Sequence, residues 1–383
     1  MAEQKSAKEF FKYEERVGDI GIIAVPGAEE LTDKINAHLT RWATETDSLR
    51  GRESFIIEAE CPRFASGDGK GMIKSTVRGD DLFLVVDVGN YSVKYKMYGH
   101  ENSLSPDDHF QNLKRIIQSA SGKALRINLI MPLLYGGRQH RRSYRESLDC
   151  AVAMQELQAM GVSNVVTFDA HDPRLQNAVP LMGFDNVMPT YQVIKAVIKA
   201  EPDIDFKKFM VISPDEGALD RNMYYASVLG VNLGMFYKRR DYSRIVNGRN
   251  PIVAHEYLGE SVEGKDIFIS DDIISSGESM LDIAKALRKK NAGRIFANAT
   301  YALFTNGLET FDEAYESGLI TGVFGTNLTY RSPELLSREW YHDVDVSKYI
   351  SYFIAALNHN MSVSAIIDPH EKIKALLQKT GRI

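Results

Sequence analysis

Short apolar runs alternate with segments of helical period along almost the whole chain. "LFLVVD" (82–87), "RINLIM" (126–131), "NVVTFD" (164–169), "FMVISPD" (209–215), "NLGMFY" (232–237), "DIFISDD" (266–272) and "RIFANATYAL" (294–303) read as strands. Most are nearly unbroken apolar stretches, as expected where both faces of a sheet are covered. Helices are predicted between them. "SYRESLDCAVAMQELQAMG" (143–161) places Leu148, Ala151, Val152 and Leu157 on one stripe, with Gly161 as its stop. "TYQVIKAVIKA" (190–200) follows Pro189, and "ESMLDIAKALRKKNAG" (278–293) carries Met280, Ile283, Ala284 and Leu287 on its apolar side. Such alternation predicts α/β architecture with mostly parallel sheets. Seven or more strands over this length suit two domains, with a boundary near 185–190. The expected division is 1–187, 188–367 and a helical tail at 368–383. A helix is also expected to end near Asn358–Asn360.

Bulk properties narrow the function. The 383 residues are 44% hydrophobic and 25% charged, the balance of a globular protein with substantial cores. A net charge of -5 lacks the basic excess of a nucleic-acid binder. No apolar run reaches the length of a membrane span, and the charged N-terminus carries no secretory pattern. Only Cys61 and Cys150 are present, too few for a disulfide framework or thiolate zinc site. The expectation is a cytoplasmic protein with no nucleic-acid or membrane partner. The glycines of "SGDGKG" (66–71) do not have the spacing of a dinucleotide loop.

The densest chemistry lies in "IFISDDIISSGESM" (267–280). Asp271 and Asp272 end an apolar strand, and small hydroxyl residues then open a helix. Ligands of open α/β sheets bind beyond the carboxyl ends of strands, and a helix N-terminus offers amides to phosphate. By residue type alone, capping of the turn and helix explains the stretch as well as a ligand does, and is slightly preferred.

This stretch resembles the phosphoribosyl-pyrophosphate loop shared by type I phosphoribosyltransferases and ribose-phosphate pyrophosphokinases (PRPP synthetases). Further stretches resemble the synthetases specifically: "RFASGDGKGMIKSTVRGDDLFLV" (63–85), "YGGRQHRR" (135–142), "TFDAHDPRLQ" (167–176), "VISPDEGALDR" (211–221), "YKRRDYSR" (237–244) and "LNHNMSVSAII". They are collinear from about Gly21 to Ile367.

The resemblance implies two tandem type I phosphoribosyltransferase-like domains. It implies Mg²⁺-dependent transfer of the diphosphoryl group of ATP to the C1 hydroxyl of ribose 5-phosphate, giving PRPP and AMP. Lys238 and Arg240 match the catalytic cations, and His171 and Asp215 the magnesium ligands. Phe64, Asp68, Arg138 and Gln139 match ATP-binding positions. Asp271, Asp272, Ser275, Ser276, Gly277, Glu278 and Ser279 match the ribose 5-phosphate site. A homo-oligomer, dimer-based and up to a hexamer, is also implied. The pattern is broken at Ser275, Glu278, His140 and Ser66, and the chain is longer at 43–60, 99–110 and the tail. These departures keep two alternatives open: a weak or inactive regulatory homologue and, further off, a phosphoribosyltransferase.

Overall fold

A computed structural model of the chain describes residues 11, 15–49, 52–142, 145–240 and 252–381, with backbone alone for 238–240 and 252–255. Contacts divide it into two units.

The first unit is built on β1 (Asp19–Ala24), β2 (Asp80–Val85), β3 (Arg126–Ile130), β4 (Val162–Phe168) and β5 (Gly183–Val187). All are parallel and lie side by side in chain order. β2 is buried along its whole length, which is why it shows no polar alternation. Helices α1 (Glu29–Glu45), α2 (Pro106–Ala120) and α3 (Asp149–Ala159) belong to this unit. Ser105 starts α2 by accepting the Asp108 N–H, while Asp108 accepts the Ser105 N–H at 3.0 Å. In α3 the buried stripe is Cys150, Ala153, Met154 and Leu157. The expected stripe is displaced: Val152 is exposed and Leu148 precedes the helix. The expected set is spaced i, i+3, i+4 and i+9, whereas the buried one follows i, i+3, i+4 and i+7 and forms the continuous stripe that packs.

The second unit opens with α4 (Thr190–Ala200) and β6 (Phe209–Ser213). α5 (Leu219–Leu229), β7 (Asn232–Arg240), β8 (Ile252–Leu258) and β9 (Asp266–Ile274) follow. α6 (Glu278–Arg288), β10 (Ile295–Ala302), α7 (Glu309–Glu316), β11 (Gly322–Thr326) and β12 (Tyr341–Val344) complete it. The sheet order is β8-β7-β6-β9-β10-β11-β12, parallel except for the β7–β8 pair. From β6 the chain builds outward through β7 and β8, then returns to place β9 on the other side of β6. The order therefore reverses between β6 and β9, and there the strand-end loops part to leave a crevice. As predicted, Met280, Ile283, Ala284 and Leu287 pack α6 into the core.

The division by contact is interleaved, unlike the contiguous one expected from the sequence. Asn327–Tyr330 and Asp345–Asp368, including α8 (Ser347–Asn358), belong with the first unit. There Ser351 donates to the Ile35 carbonyl of α1 at 3.3 Å, and Trp42 and Tyr352 meet at 5.0 Å. Asn358 also donates to Asp81 at 3.0 Å. Asp81, fully buried, receives the Arg126 fork at 2.8 and 2.7 Å and Asn128 at 2.7 Å. These bonds fasten the amino ends of β2 and β3 to α8. The tail helix α9 (His370–Lys379) packs Ile373 and Leu377 into the second unit.

Candidate functional site

The crevice between β6 and β9 rests on a buried polar floor. Asn222 of α5 donates to the carbonyls of Ala218 at 2.7 Å and Ser270 at 2.8 Å, and Asn298 of β10 donates to Ser270 Oγ at 2.8 Å. Ser213 Oγ donates to the Asp215 carbonyl at 2.7 Å, and Asp215 Oδ1 accepts the Ala218 N–H at 3.2 Å. Breaking any one of these bonds would leave a buried polar atom unpaired at a cost of about 1–3 kcal/mol. The register of three strand ends is thereby fixed beneath the loop that carries Asp215.

Asp271 and Asp272 lie on β9, which runs on to Ile274 rather than ending at the carboxylates as the sequence suggested. Asp272 is buried, and its N–H donates to Asp271 Oδ1 at 2.9 Å. Arg221, on the first turn of α5, stands 3.5 Å from Asp271 Oδ1. Burial, the charge of Asp272 and a hydrogen bond with it push the Asp271 carboxyl well above the usual carboxylate range. Arg221 opposes that shift and Asp215 adds to it. The Asp271 side chain remains 28% exposed, so hydroxyl groups of a ligand can reach it from solvent. Arg221 had no assigned role in the sequence reading. Its place one turn beyond the Ser-Pro-Asp corner is the signal that points to it.

The turn after β9 is shaped by Gly277. Its φ of +82° is open to glycine, and a Cβ there would collide with the Phe311 ring. The first intrahelical bond of α6 runs from Leu281 N–H to the Gly277 carbonyl at 3.0 Å. The amides of Glu278, Ser279 and Met280 therefore have no acceptor within the helix and face its open end. Ser275 and Ser276 are half-buried beside them, and Thr305 N–H donates to the Ser275 carbonyl at 2.9 Å. Glu278 and Ser279 are exposed. Lys238 and Arg240 lie on β7, not in a loop after it, and pair in register with His255 and Ile252. Their side chains lie outside the described residues.

In the first unit the loops after β3 and β4 are joined by Asp172. It accepts from Arg174 Nε at 2.9 Å and Nη2 at 2.7 Å, and it lies 2.7 Å from His140 Nδ1. The Arg174 bonds, with His140 assisting, hold the Asp172 carboxyl far below its usual range. The His140 ring meets His171 edge-on at 5.2 Å. His140, where the family pattern has aspartate, is thus part of the link between the two loops. Arg138 is exposed on the β3 loop, and Gln139 folds its side-chain amide onto the carbonyls of Arg141 and Ser147 at 3.2 and 3.1 Å.

Phe64 and Asp68 sit together on a separate tight turn, where Phe64 N–H donates to the Asp68 carbonyl at 2.7 Å. Ser66 Oγ donates to Asp68 Oδ2 at 2.8 Å, and the Phe64 ring is 57% exposed. The structure thus gathers Asp215, Asp271, Asp272 and the phosphate-type turn in one unit. It places His171, Arg138, Gln139, Phe64 and Asp68 in the other.

Among the described residues no group of three or more His, Cys, Asp or Glu is arranged to hold a metal ion, and no helix is long and apolar enough to cross a membrane.

Two family descriptions match the chain in tandem. That of the N-terminal domain of ribose phosphate pyrophosphokinase covers residues 20–161, and that of the phosphoribosyl transferase domain covers 189–310. The ribose-phosphate pyrophosphokinase of Vibrio parahaemolyticus is 26% identical, over 81% of this chain and 91% of the relative. That of Staphylococcus saprophyticus is 24% identical, over 87% of this chain and 100% of the relative. A crystal structure of phosphoribosylpyrophosphate synthetase from Mycobacterium smegmatis shares the fold. It has a TM-score of 0.71 at 19% identity, over 89% of this chain and 99% of that one. With both family domains matched in order over most of its length, the chain belongs to the ribose-phosphate pyrophosphokinase family.

Proposed function

We propose that the chain transfers the β,γ-diphosphoryl group of ATP to the C1 hydroxyl of ribose 5-phosphate. The observation that carries this reading within a chain of this family is the β6–β9 crevice. There two adjacent carboxylates are followed by a helix N-terminus whose amides are open. Asp271 and Asp272 accept hydrogen bonds from the ribose 2- and 3-hydroxyls. The amides of Glu278, Ser279 and Met280, with the hydroxyls of Ser275, Ser276 and Ser279, receive the 5-phosphate. Glu278, exposed on the first turn of α6, is screened by water rather than directed at the phosphate.

On the ATP side, Phe64 stacks on the adenine, Asp68 reads its surroundings, and Arg138 and Gln139 meet the phosphates. The C1 oxygen attacks the β-phosphorus and gives up its proton. The bond from that phosphorus to the α,β-bridging oxygen breaks, and AMP leaves with the oxygen. Lys238 and Arg240 neutralise the charge gathered on the transferring phosphates, the main service a protein supplies to phosphoryl transfer.

Magnesium fits the residues in a specific sense. Mg²⁺ is held by one or two carboxylates completed by substrate phosphates and water, so a cage of three protein ligands is not required. Burial, and after it the charge of Asp272, raises the Asp271 carboxyl, and a cation beside the pair would offset both. The family resemblance assigns Asp215, an oxygen donor, and His171, a nitrogen donor, as the magnesium ligands. Bound there, Mg²⁺ would screen the phosphate charge. A homo-oligomer belongs to the same proposal, through the family resemblance.

The test is AMP formation by purified protein from ATP and Mg²⁺, with and without ribose 5-phosphate. Sugar-dependent AMP with an equal yield of PRPP is expected. Nucleotide binding without AMP would favour the regulatory homologue or another sugar phosphate, readings to which Ser275 and Glu278 lend weight.

A further inference from the structure

A two-stranded antiparallel ribbon, Lys94–Met97 against His100–Ser103, stands beside the Phe64 turn. It overlaps the 99–110 stretch by which this chain exceeds the family pattern. The ribbon and turn meet at three points. Tyr98 N–H donates to the Ala65 carbonyl at 2.8 Å. Met97 packs on Gly67, where a Cβ would lie 2.6 Å from the methionine sulfur. The Arg63 guanidinium lies over the Tyr95 ring at 4.8 Å. These contacts hold the ribbon tip on the turn that presents Phe64.

The tip itself is unusual. Tyr98 and Gly99 form a two-residue hairpin loop with φ of +49° and +81°. Both values suit a type I′ turn, whose first position favours asparagine, aspartate or glycine. A tyrosine there bears a steric cost that its side chain does not recover by packing, because Tyr98 is 78% exposed. Phe64, one residue from Ala65, is likewise exposed, and neither ring stacks on another among the described residues. Two open aromatic faces therefore stand on adjoining backbone, beside the Ser66–Asp68 polar pair.

We infer that Tyr98 is a second aromatic contact for the donor nucleobase, added by the ribbon to the one supplied by Phe64. The inference rests on the reading that the adenine of ATP lies on the Phe64 turn. A flat base gains from each aromatic face it meets, whereas phosphates gain nothing. A contact of this kind raises affinity for the nucleoside part of the donor alone.

The test measures equilibrium binding to the full chain by calorimetry, with ATP and with inorganic tripolyphosphate as a probe lacking the base. Tyr98→Asn keeps a residue that the turn accepts, so its melting temperature is expected to equal or exceed that of the parent. Its Kd for ATP is expected to rise about tenfold, its Kd for tripolyphosphate to stay unchanged, and Tyr98→Phe to restore ATP affinity. An unchanged ATP Kd in Tyr98→Asn, while Phe64→Ala loosens ATP, would overturn this inference and leave the Phe64 reading standing. ATP affinity unaffected by both substitutions would overturn the two together. Equal weakening of ATP and tripolyphosphate, or a changed sedimentation coefficient for Tyr98→Asn, would assign Tyr98 to folding or subunit contact and also overturn it.

Discussion

The two sheets differ in how they gather their polar residues. The first lays its strands in chain order, so no reversal opens a crevice at its carboxyl edge. Its candidate residues are spread over the loops after β3 and β4 and the Phe64 turn. Its most deeply buried charge, Asp81, lies at the opposite, amino ends of the strands and serves the fold. The second sheet reverses between β6 and β9, and there Asp215, Arg221, Asp271 and Asp272 share one electrostatic neighbourhood. A switch point concentrates like charges at a cost in stability, which a ligand can recover. An ordered sheet lets neighbouring loops satisfy one another, as Asp172 does with Arg174 on its own loop and His140 on the next.

The largest expected effect probes the catalytic side of this contrast. Lys238→Ala and Arg240→Ala should each lower kcat by about 10²–10³-fold while ATP affinity changes little. Equal losses in affinity and rate would show ordinary substrate binding instead.

At the amino ends of the first sheet the effect should fall on stability. Asp81→Ala strands Arg126 and is expected to cost about 3–5 kcal/mol in denaturant unfolding, with nucleotide affinity of the folded fraction preserved. A loss below about 1 kcal/mol would mean that the pair behaves as a surface ion pair.

The crevice should behave in the reverse manner. The proton affinity of Asp271 is raised in the folded state, so its contribution is fully present at acidic pH. It is lost as pH climbs from the ordinary carboxylate range through about 8. Asp271→Asn should flatten that slope and raise the melting temperature by about 2–4 °C on the alkaline side, while abolishing ribose 5-phosphate binding. Calorimetric melts across pH would check the sign, and a steeper alkaline loss in the variant would refute it.

Glu278→Gly should matter least. An exposed charge at a helix start interacts by less than about 1 kcal/mol, so ribose 5-phosphate binding should tighten no more than about fivefold. A larger gain in a titration would place the carboxylate against the phosphate.

Much of this was legible in the sequence because it is local. Continuous apolar runs gave the central strands, and the Ser-Ser-Gly string marked a helix start, although the strand runs two residues past the Asp-Asp pair. What escaped depends on distant parts of the chain. β5 is a half-buried edge strand, "GFDNV", with little apolar pattern. β7 extends through charged residues to Arg240 because β8 pairs with it, and no local pattern announces that partner. The return of α8 to the first unit depends on Asp81 and α1, hundreds of residues away. Arg221 acquires meaning only when α5 brings it beside Asp271. The His140–Asp172 pair likewise joins two loops 32 positions apart.

The central claim is that the second unit holds the sugar phosphate and the first unit the nucleotide base. Titration of the full chain with ribose 5-phosphate and with ATP, for Asp272→Asn and Phe64→Ala, tests it directly. The account expects Asp272→Asn to lose the sugar phosphate but still bind ATP, and Phe64→Ala to do the opposite. Sugar-phosphate affinity unchanged in Asp272→Asn, or lost in Phe64→Ala with ATP affinity intact, would contradict it.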